Sequence, residues 1–401
     1  MKKRFEIVIV GGGITGLTVA AQLARLECGR RLRLILVDGG PRPQFDPTAD
    51  VALRVSALAT GSVRLLDEIG AWDFVRAARA CPYDRMRVWD ATDRPDGAST
   101  LRFDAADFGV PQLGFIVENV LARTALAQVL EGTDVELRFD TPIRELQRCG
   151  RRLAIVLGQD ERIEPDLLIA ADGAQSFVRE QAGIASRETP YGQTALVTHL
   201  VPAKPHRNTA WQRFLREGPL GMLPLSDGRI SVVWSTSTAN AERAMTASDD
   251  ELGGLLGEAS GHVLGELEVA GPRGDFPLTA RHAERYVAAG LALVGDAAHA
   301  VHPLAGQGAN LGLRDAAKLA EVVDAALREG RHPGDLPVLR RYARARRGEN
   351  ALMMHFLTGL NRLFATDFPL VGRIRAVGMR AFNHSGPIRE RAVGIALGMG
   401  R

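Results

Sequence analysis

Three stretches, far apart in the chain, each end an apolar run on small residues, and in the second and third a carboxylate stands among them. They are "FEIVIVGGGITG" (5–16), "DLLIAADGAQSFVRE" (166–180) and "LALVGDAAHAVHPLAGQGANLGL" (291–313). A carboxylate only accepts hydrogen bonds, and glycine lets another group approach the backbone closely. Such residue types suit holding a ligand rich in hydroxyls and phosphates. Nothing in them looks like a nucleophile with an adjacent base.

The first stretch is the most specific. "FEIVIV" is short, apolar and rich in β-branched residues, which predicts a buried parallel strand. Gly11, Gly13 and Gly16 follow in G-x-G-x-x-G spacing, ahead of the helical pattern "LTVAAQLARL". In that context Gly11 permits the tight turn, Gly13 lets a pyrophosphate reach the backbone, and Gly16 lets helix and strand pack. The helix start, Ile14 and Thr15 included, offers free N–H groups and a partial positive charge. A second strand, "LRLILVD" (32–38), ends in Asp38, 22 residues after Gly16, where it would accept from a ribose hydroxyl. A dinucleotide is the expected ligand. Only one such fingerprint occurs and no paired redox cysteines, which leaves a flavoprotein or a simple NAD-dependent dehydrogenase.

Taken alone, the second stretch could be a turn at Asp172-Gly173 with an N-cap near Ser176. With the third it completes a set of strand–acid–loop–helix units. Ligands of parallel sheets bind beyond the strands' carboxyl ends, so the three would meet in one crevice. The fold class expected is α/β with two domains: a Rossmann-like FAD-binding domain, an inserted and mostly antiparallel sheet, and C-terminal helices. The boundaries are 1–75, 105–180 and 275–335 for the first, 76–104 and 181–274 for the substrate domain, and 336–401 for the helices.

Together the glycine loop, "ADGAQSFVR" (171–179) and "GDAAHAVHPLAGQGANLGLRDA" (295–316) resemble the three motifs of the class A FAD-dependent aromatic hydroxylases, the p-hydroxybenzoate hydroxylase type. "RVSALATGSVRLLDEIGAWD" (54–73), "LGFIVEN" (113–119), "QRFLREGPLGMLPL" (212–225) and "HPLAGQG" (302–308) narrow the resemblance to the ubiquinone-biosynthesis hydroxylases. Glu118-Asn119 stand where many aromatic hydroxylases have Arg or Gln, a departure that looks ordinary within the ubiquinone branch.

That resemblance implies FAD as cofactor and NADPH or NADH as transient reductant. It implies ring hydroxylation of a polyprenylated phenol or benzoquinol by dioxygen, through a flavin C4a-hydroperoxide. The FAD contacts it implies are Gly11, Gly13, Ile14, Thr15, Gly16, Asp38, Arg54, Asp172, Gly173, Gly295, Asp296, Gly306, Gly308, Ala309 and Asn310. Asp296 would accept from ribityl or ribose hydroxyls. Pro303, Gly306, Gln307 and Gly308 would form the loop facing the flavin ring, with the next helix aimed at the ring's N1/C2 edge. Arg54 would sit near FAD or the reductant. No metal is expected, and His299 and His302 read as packing or hydrogen-bonding residues of the loop. Walls for the substrate would come from "TALVTHLVP" (194–202), "AWQRFL" (210–215), "GPLGMLPL" (218–225) and "RISVVWS" (229–235), whose plainer reading is a sheet packed on its own core.

Composition bounds the alternatives. The chain has 401 residues, 46% hydrophobic and 24% charged, and its net charge of +3 gives no reason to expect nucleic acid. Cys28, Cys81 and Cys149 are too scattered for a zinc or redox motif and read as buried thiols in a reducing compartment. The apolar run after "MKKR" is too short for a signal peptide, and a cytoplasmic protein, in contact with the inner membrane or not, is expected. Residues 340–401 carry 12 Arg against Glu349, Asp367 and Glu390. A basic amphipathic tail of this kind could touch anionic lipid or other pathway proteins, or simply pack with a solvated face. A homo-oligomer stays open. So do a hydroxylase of another phenol and a non-catalytic flavin-binding scaffold; a halogenase is disfavoured because Trp72, Trp89, Trp211 and Trp234 are isolated.

Overall fold

The computed structural model describes residues 4–398 apart from Cys28, Arg151, Gln159 and Asp367. The fold is α/β, built on two large sheets. The first has six strands, in the order Val287–Ala288, Leu291–Leu293, Leu167–Ala170, Phe5–Val10, Leu32–Val37 and Glu136–Arg138. Every pairing in it is parallel except that of the first two strands. Ile7, Val8 and Ile9 are fully buried, as both faces of a parallel sheet must be when helices cover them. Helix Ile14–Ala24 packs against helices Asn119–Glu131 and Gln307–Arg328.

This strand order brings the three sequence stretches together. Leu167–Ala170 lies between Phe5–Val10 and Leu291–Leu293. At the strands' ends, the Ala171 amide donates to the Val10 carbonyl at 2.7 Å and the Val294 amide to the Ala170 carbonyl at 2.9 Å. The turns carrying Gly11, Asp172 and Asp296 are therefore neighbours.

The second sheet has nine strands and is antiparallel apart from one parallel join, Thr209–Leu215 with Arg85–Asp90. Its long strand Ser186–Pro202 pairs with Ile230–Ser237 and with Gly274–Ala283. This sheet reaches past the expected boundary at 274, through Ala283, and takes in His299–Ala300 as an edge strand. The loop after Asp296 is thus stitched to the second sheet while its start belongs to the first.

Helices Leu336–Ala365, Pro369–Asn383 and Pro387–Ala396 follow, the first after a turn carrying Pro333 and Gly334. Helix Asp249–Ser260 has an acidic first turn, closed by a capping box between Ser248 and Glu251. Cys81 is buried and unpaired, and burial pushes its thiol up to about 12. Cys28 lies outside the described residues, as does the side chain of Cys149.

Candidate active site

A crevice of 1320 Å³ runs along the strand ends, lined by Gly11, Gly13, Ile14, Thr15, Asp38, Arg54, Asp172, Gly173, Asp296, Gly308 and Ala309 among others. The glycines divide the labour as their spacing implies. Gly11 has φ +108°, and a β-carbon there would strike the Ala171 carbonyl; one on Gly16 would strike the Gly11 carbonyl. A β-carbon on Gly13 would meet nothing within 4 Å. Gly11 and Gly16 close the turn, while Gly13 faces open space. Gly13 also caps the helix Ile14–Ala24 with no side-chain acceptor, so the first-turn amides are left for a ligand.

Asp38 lines the crevice and receives the Gly12 and Gly40 amides, the latter at 2.8 Å. Each of its oxygens keeps a lone pair for a hydroxyl. Asp172 is more committed. It accepts from Ser176 Oγ at 2.5 Å and from the Val178 amide at 3.0 Å, and burial holds its pKa above the usual carboxylate value. Its main work is capping the helix Phe177–Gln181, and it is Gly173, at φ +85°, that leaves the loop open.

Asp296 differs from both. It is exposed to the crevice, and no described residue hydrogen-bonds to it. Protein crowds it on its other sides, and that burial raises its pKa, with His299 and Arg54 pulling the other way. Beside it the helix Gln307–Arg328 begins at Gly306, again with no side-chain cap. Gly306 sits at φ +61° against Ala57, where a β-carbon would come within 2.7 Å of the Ala57 β-carbon. A β-carbon on Gly308 would meet nothing.

Three of the expected contacts are buried away from the crevice lining. Asn310 is buried, and its amide is fully used: Oδ1 accepts from the Ala59 amide at 2.9 Å and Ser62 Oγ at 2.6 Å, while Nδ2 donates to the Ala57 and Gly306 carbonyls at 2.9 Å. With no free donor or acceptor on its side chain, it clamps the helix start. Gly295 is buried at φ +57° against Thr15 and donates its amide to Asp315 at 3.1 Å, so it supports Asp296 from behind. Gln307 is buried and lines neither chamber, unlike Pro303, Gly306 and Gly308.

Two further side chains stand at the crevice, and of these only Asn119 was singled out in the sequence, beside Glu118. Arg123 lines the crevice and donates from Nε to the Gly12 carbonyl at 2.8 Å, a cation beside the glycine loop. Asn119 lines it too, with its side chain accepting from Ser56 Oγ at 2.6 Å. Its neighbour Glu118 turns inward, pairs with Arg79 at 3.0 Å and accepts the Ala52 amide at 2.7 Å. No spacing rule marks Arg123; its position in the helix after Glu118 is the only signal.

The crevice opens into a second cavity of 630 Å³ between the sheets. Leu53, Arg54, Ser56, Asn119, Phe276, Asp296, Gly308 and Ala309 line both chambers and form their junction. Beyond it the walls are Val197, Trp211, Leu223 and Val233 from the second sheet, with Met86, Pro303 and Leu304. Polar groups interrupt this apolar lining, Gln212, Ser235, Asp275, Ser231 and Tyr83 among them. Ser231 Oγ is buried without a hydrogen-bond partner, and burial pushes the Tyr83 phenol up to about 12.

These residues fit FAD. The open face of Gly13, two uncapped helix starts, Arg123 and an unpartnered carboxylate at the junction supply the donors and acceptors of a pyrophosphate and a polyol.

Comparison with known proteins agrees. Residues 4–355 match the FAD binding domain family. The chain is 35% identical over 397 residues to the 3-demethoxyubiquinol 3-hydroxylase of Escherichia coli, covering 98% of each. It is 36% identical over 401 residues to the ubiquinone hydroxylase UbiL of Rhodospirillum rubrum, covering 98% of this chain and 89% of that one. The p-nitrophenol 4-monooxygenase PnpA of Pseudomonas putida shares the fold with a TM-score of 0.75 at 18% identity, each chain covered completely.

Proposed function

Because the chain belongs to the FAD-dependent monooxygenases of the ubiquinone-biosynthesis hydroxylase family, we propose that it hydroxylates the ring of a polyprenylated phenol or benzoquinol. NADPH or NADH is the transient reductant and dioxygen the oxidant. The observation that carries this reading is the meeting of a dinucleotide-sized crevice and an apolar cavity at Asp296 and the start of helix Gln307–Arg328.

Bound FAD supplies two-electron reduction and activation of dioxygen, which no side chain of the chain provides. The residues act around it. Arg123 and the first turn after Gly13 take the pyrophosphate, Asp38 and Asp296 accept from hydroxyls, and Gly308 and Ala309 present amides to the ring's electron-rich edge. Arg54, exposed at the junction, faces the anionic reductant.

In the cavity, Val197, Leu223, Val233 and Phe276 exclude water from the ring. Tyr83, its pKa raised, stays an O–H donor at neutral pH, and Ser231 offers an unused hydroxyl. Both suit an oxygen substituent on the aromatic ring. A substrate with a prenyl tail belongs in a lipid phase, so contact with a bilayer or with other proteins of the pathway is part of the proposal.

Deleting the gene tests it. Mass spectrometry of the quinone fraction should show a prenylated precursor lacking one ring oxygen, restored by the wild-type gene. An unchanged quinone profile would refute the assignment and favour a soluble phenol.

A further inference from the structure

The C-terminal helices present a face that the fold leaves uncovered. Of the twelve large apolar side chains exposed among the described residues, nine lie between Leu352 and Ile395. They recur at helical spacing: Leu352, Phe356 and Leu363 on Leu336–Ala365, Leu370, Ile374 and Val377 on Pro369–Asn383, Ile388 and Ile395 on Pro387–Ala396. Each helix thus turns one apolar stripe outward. Phe368, at the turn between two of them, is 71% exposed.

The charge on the same helices is mainly positive, with Glu349 and Glu390 their only acids among the described residues. Arg340, Arg344, Arg347, Arg362, Arg373 and Arg391 are exposed, and no described residue forms an ion pair with their side chains. Arg340, Arg344 and Arg347 join Arg187 and Arg285 along a groove of 1130 Å³ in which Glu284 is the one acid. Two other arginines of the segment are buried and spoken for, Arg346 by Asp315 and Arg375 by Asp90. The exposed ones are unneeded by the fold.

The face also lies close to the cavity. Met86 and Leu304 line the cavity on one side and pack on the other with Leu357, Phe364 and Met379 of these helices. The inner side of these helices thus packs directly on residues that line the cavity.

We infer that this face docks on the surface of an anionic bilayer, the apolar stripes entering the headgroup boundary and the unpaired arginines meeting lipid phosphates. Amphipathic helices with cationic flanks bind membranes in this way. A second copy of the chain is the poorer occupant, because a two-fold interface would set the same unpaired arginines against one another. The inference rests on the function above only in naming a lipid-borne substrate as the reason for docking, and its test uses lipid alone, so either can fail without the other.

The test is vesicle flotation of the FAD-loaded enzyme with phosphatidylcholine, or with phosphatidylcholine containing phosphatidylglycerol, alongside light scattering for oligomeric state. The wild type should float with the anionic vesicles only, and less as salt rises. Arg344→Gln with Arg347→Gln should lower partitioning by about five-fold per arginine. Phe356→Ser with Ile374→Ser should lower it by roughly ten-fold per residue. All four positions are exposed, and an unchanged flavin spectrum and melting temperature would confirm that the variants are folded. Wild-type protein that ignores anionic vesicles, or variants that bind them like wild type, would overturn the inference. So would a dimer that Phe356→Ser with Ile374→Ser converts to monomer without any vesicle binding, since a second copy would then cover the face.

Discussion

His299 Nε2 lies 2.6 Å from Asp315 Oδ2, and neither side chain has any exposure. The same carboxylate takes the Gly295 amide at 3.1 Å, Arg346 Nε at 2.7 Å and Asn350 Nδ2 at 3.0 Å. Burial alone would raise the pKa of Asp315, but His299 and Arg346 outweigh it and hold the pKa below the ordinary value. One buried carboxylate therefore ties the loop bearing Asp296 to helix Leu336–Ala365.

Removing that carboxylate should be costly. Asp315→Ala leaves His299, Arg346 and Asn350 facing an empty position, a loss of about 3–5 kcal/mol for a broken buried pair. Chemical denaturation should show it, with FAD content falling in step. A stable variant with full flavin would mean that the network does not position the loop.

Asp296 makes the opposite prediction, since it supports nothing in the protein. Asp296→Ala should leave the melting temperature of the apoprotein near wild type and weaken FAD binding by roughly 10–100-fold, the value of one or two hydrogen bonds to a charged acceptor. Flavin fluorescence titration reads this directly. Because the Asp296 pKa is raised, FAD affinity should begin to fall on acidification above the pH at which an ordinary carboxylate protonates, and Asp296→Asn should remove that dependence.

The glycine loop separates binding from folding by position. Gly13→Val places its side chain in open space and should yield folded, colourless protein. Gly16→Val drives a side chain into the Gly11 carbonyl and should impair folding itself. Circular dichroism and the flavin-to-protein absorbance ratio distinguish the two outcomes, and equal flavin retention in both variants would refute the division of roles.

His302 sets a pH dependence. Burial depresses its pKa to about 4, and Gln193 is its hydrogen-bond partner at 3.2 Å. The unfolded chain then binds a proton that the folded chain refuses, so this contribution is intact above the unfolded pKa near 6.5 and is lost as pH falls toward 4. Between pH 7 and pH 5 the loss should be about 2 kcal/mol, and His302→Gln should flatten that part of the stability profile.

What could be read from the sequence follows a physical divide. Gly11, Gly13, Gly16 and Asp296 could be singled out because the signals they give, glycine spacing and position at a strand's end, lie in the chain immediately around them. The protein partners of Asn310 and Gly295 gave no local signal, and those of Asn310 lie some 250 residues away at Ala57, Ala59 and Ser62. Asp315 and Arg123 carried no local signal for the same reason. In the basic tail, composition could not distinguish Arg346 and Arg375, which the fold buries in ion pairs, from the arginines it leaves exposed.

The most direct test supplies the FAD-loaded enzyme with NADPH or NADH, a short-chain prenylated phenol and isotopically labelled dioxygen. The account predicts a ring-hydroxylated product carrying one labelled oxygen atom, formed in proportion to reductant consumed. Product oxygen drawn from water, or reductant oxidation that yields only hydrogen peroxide with every prenylated phenol, would contradict it.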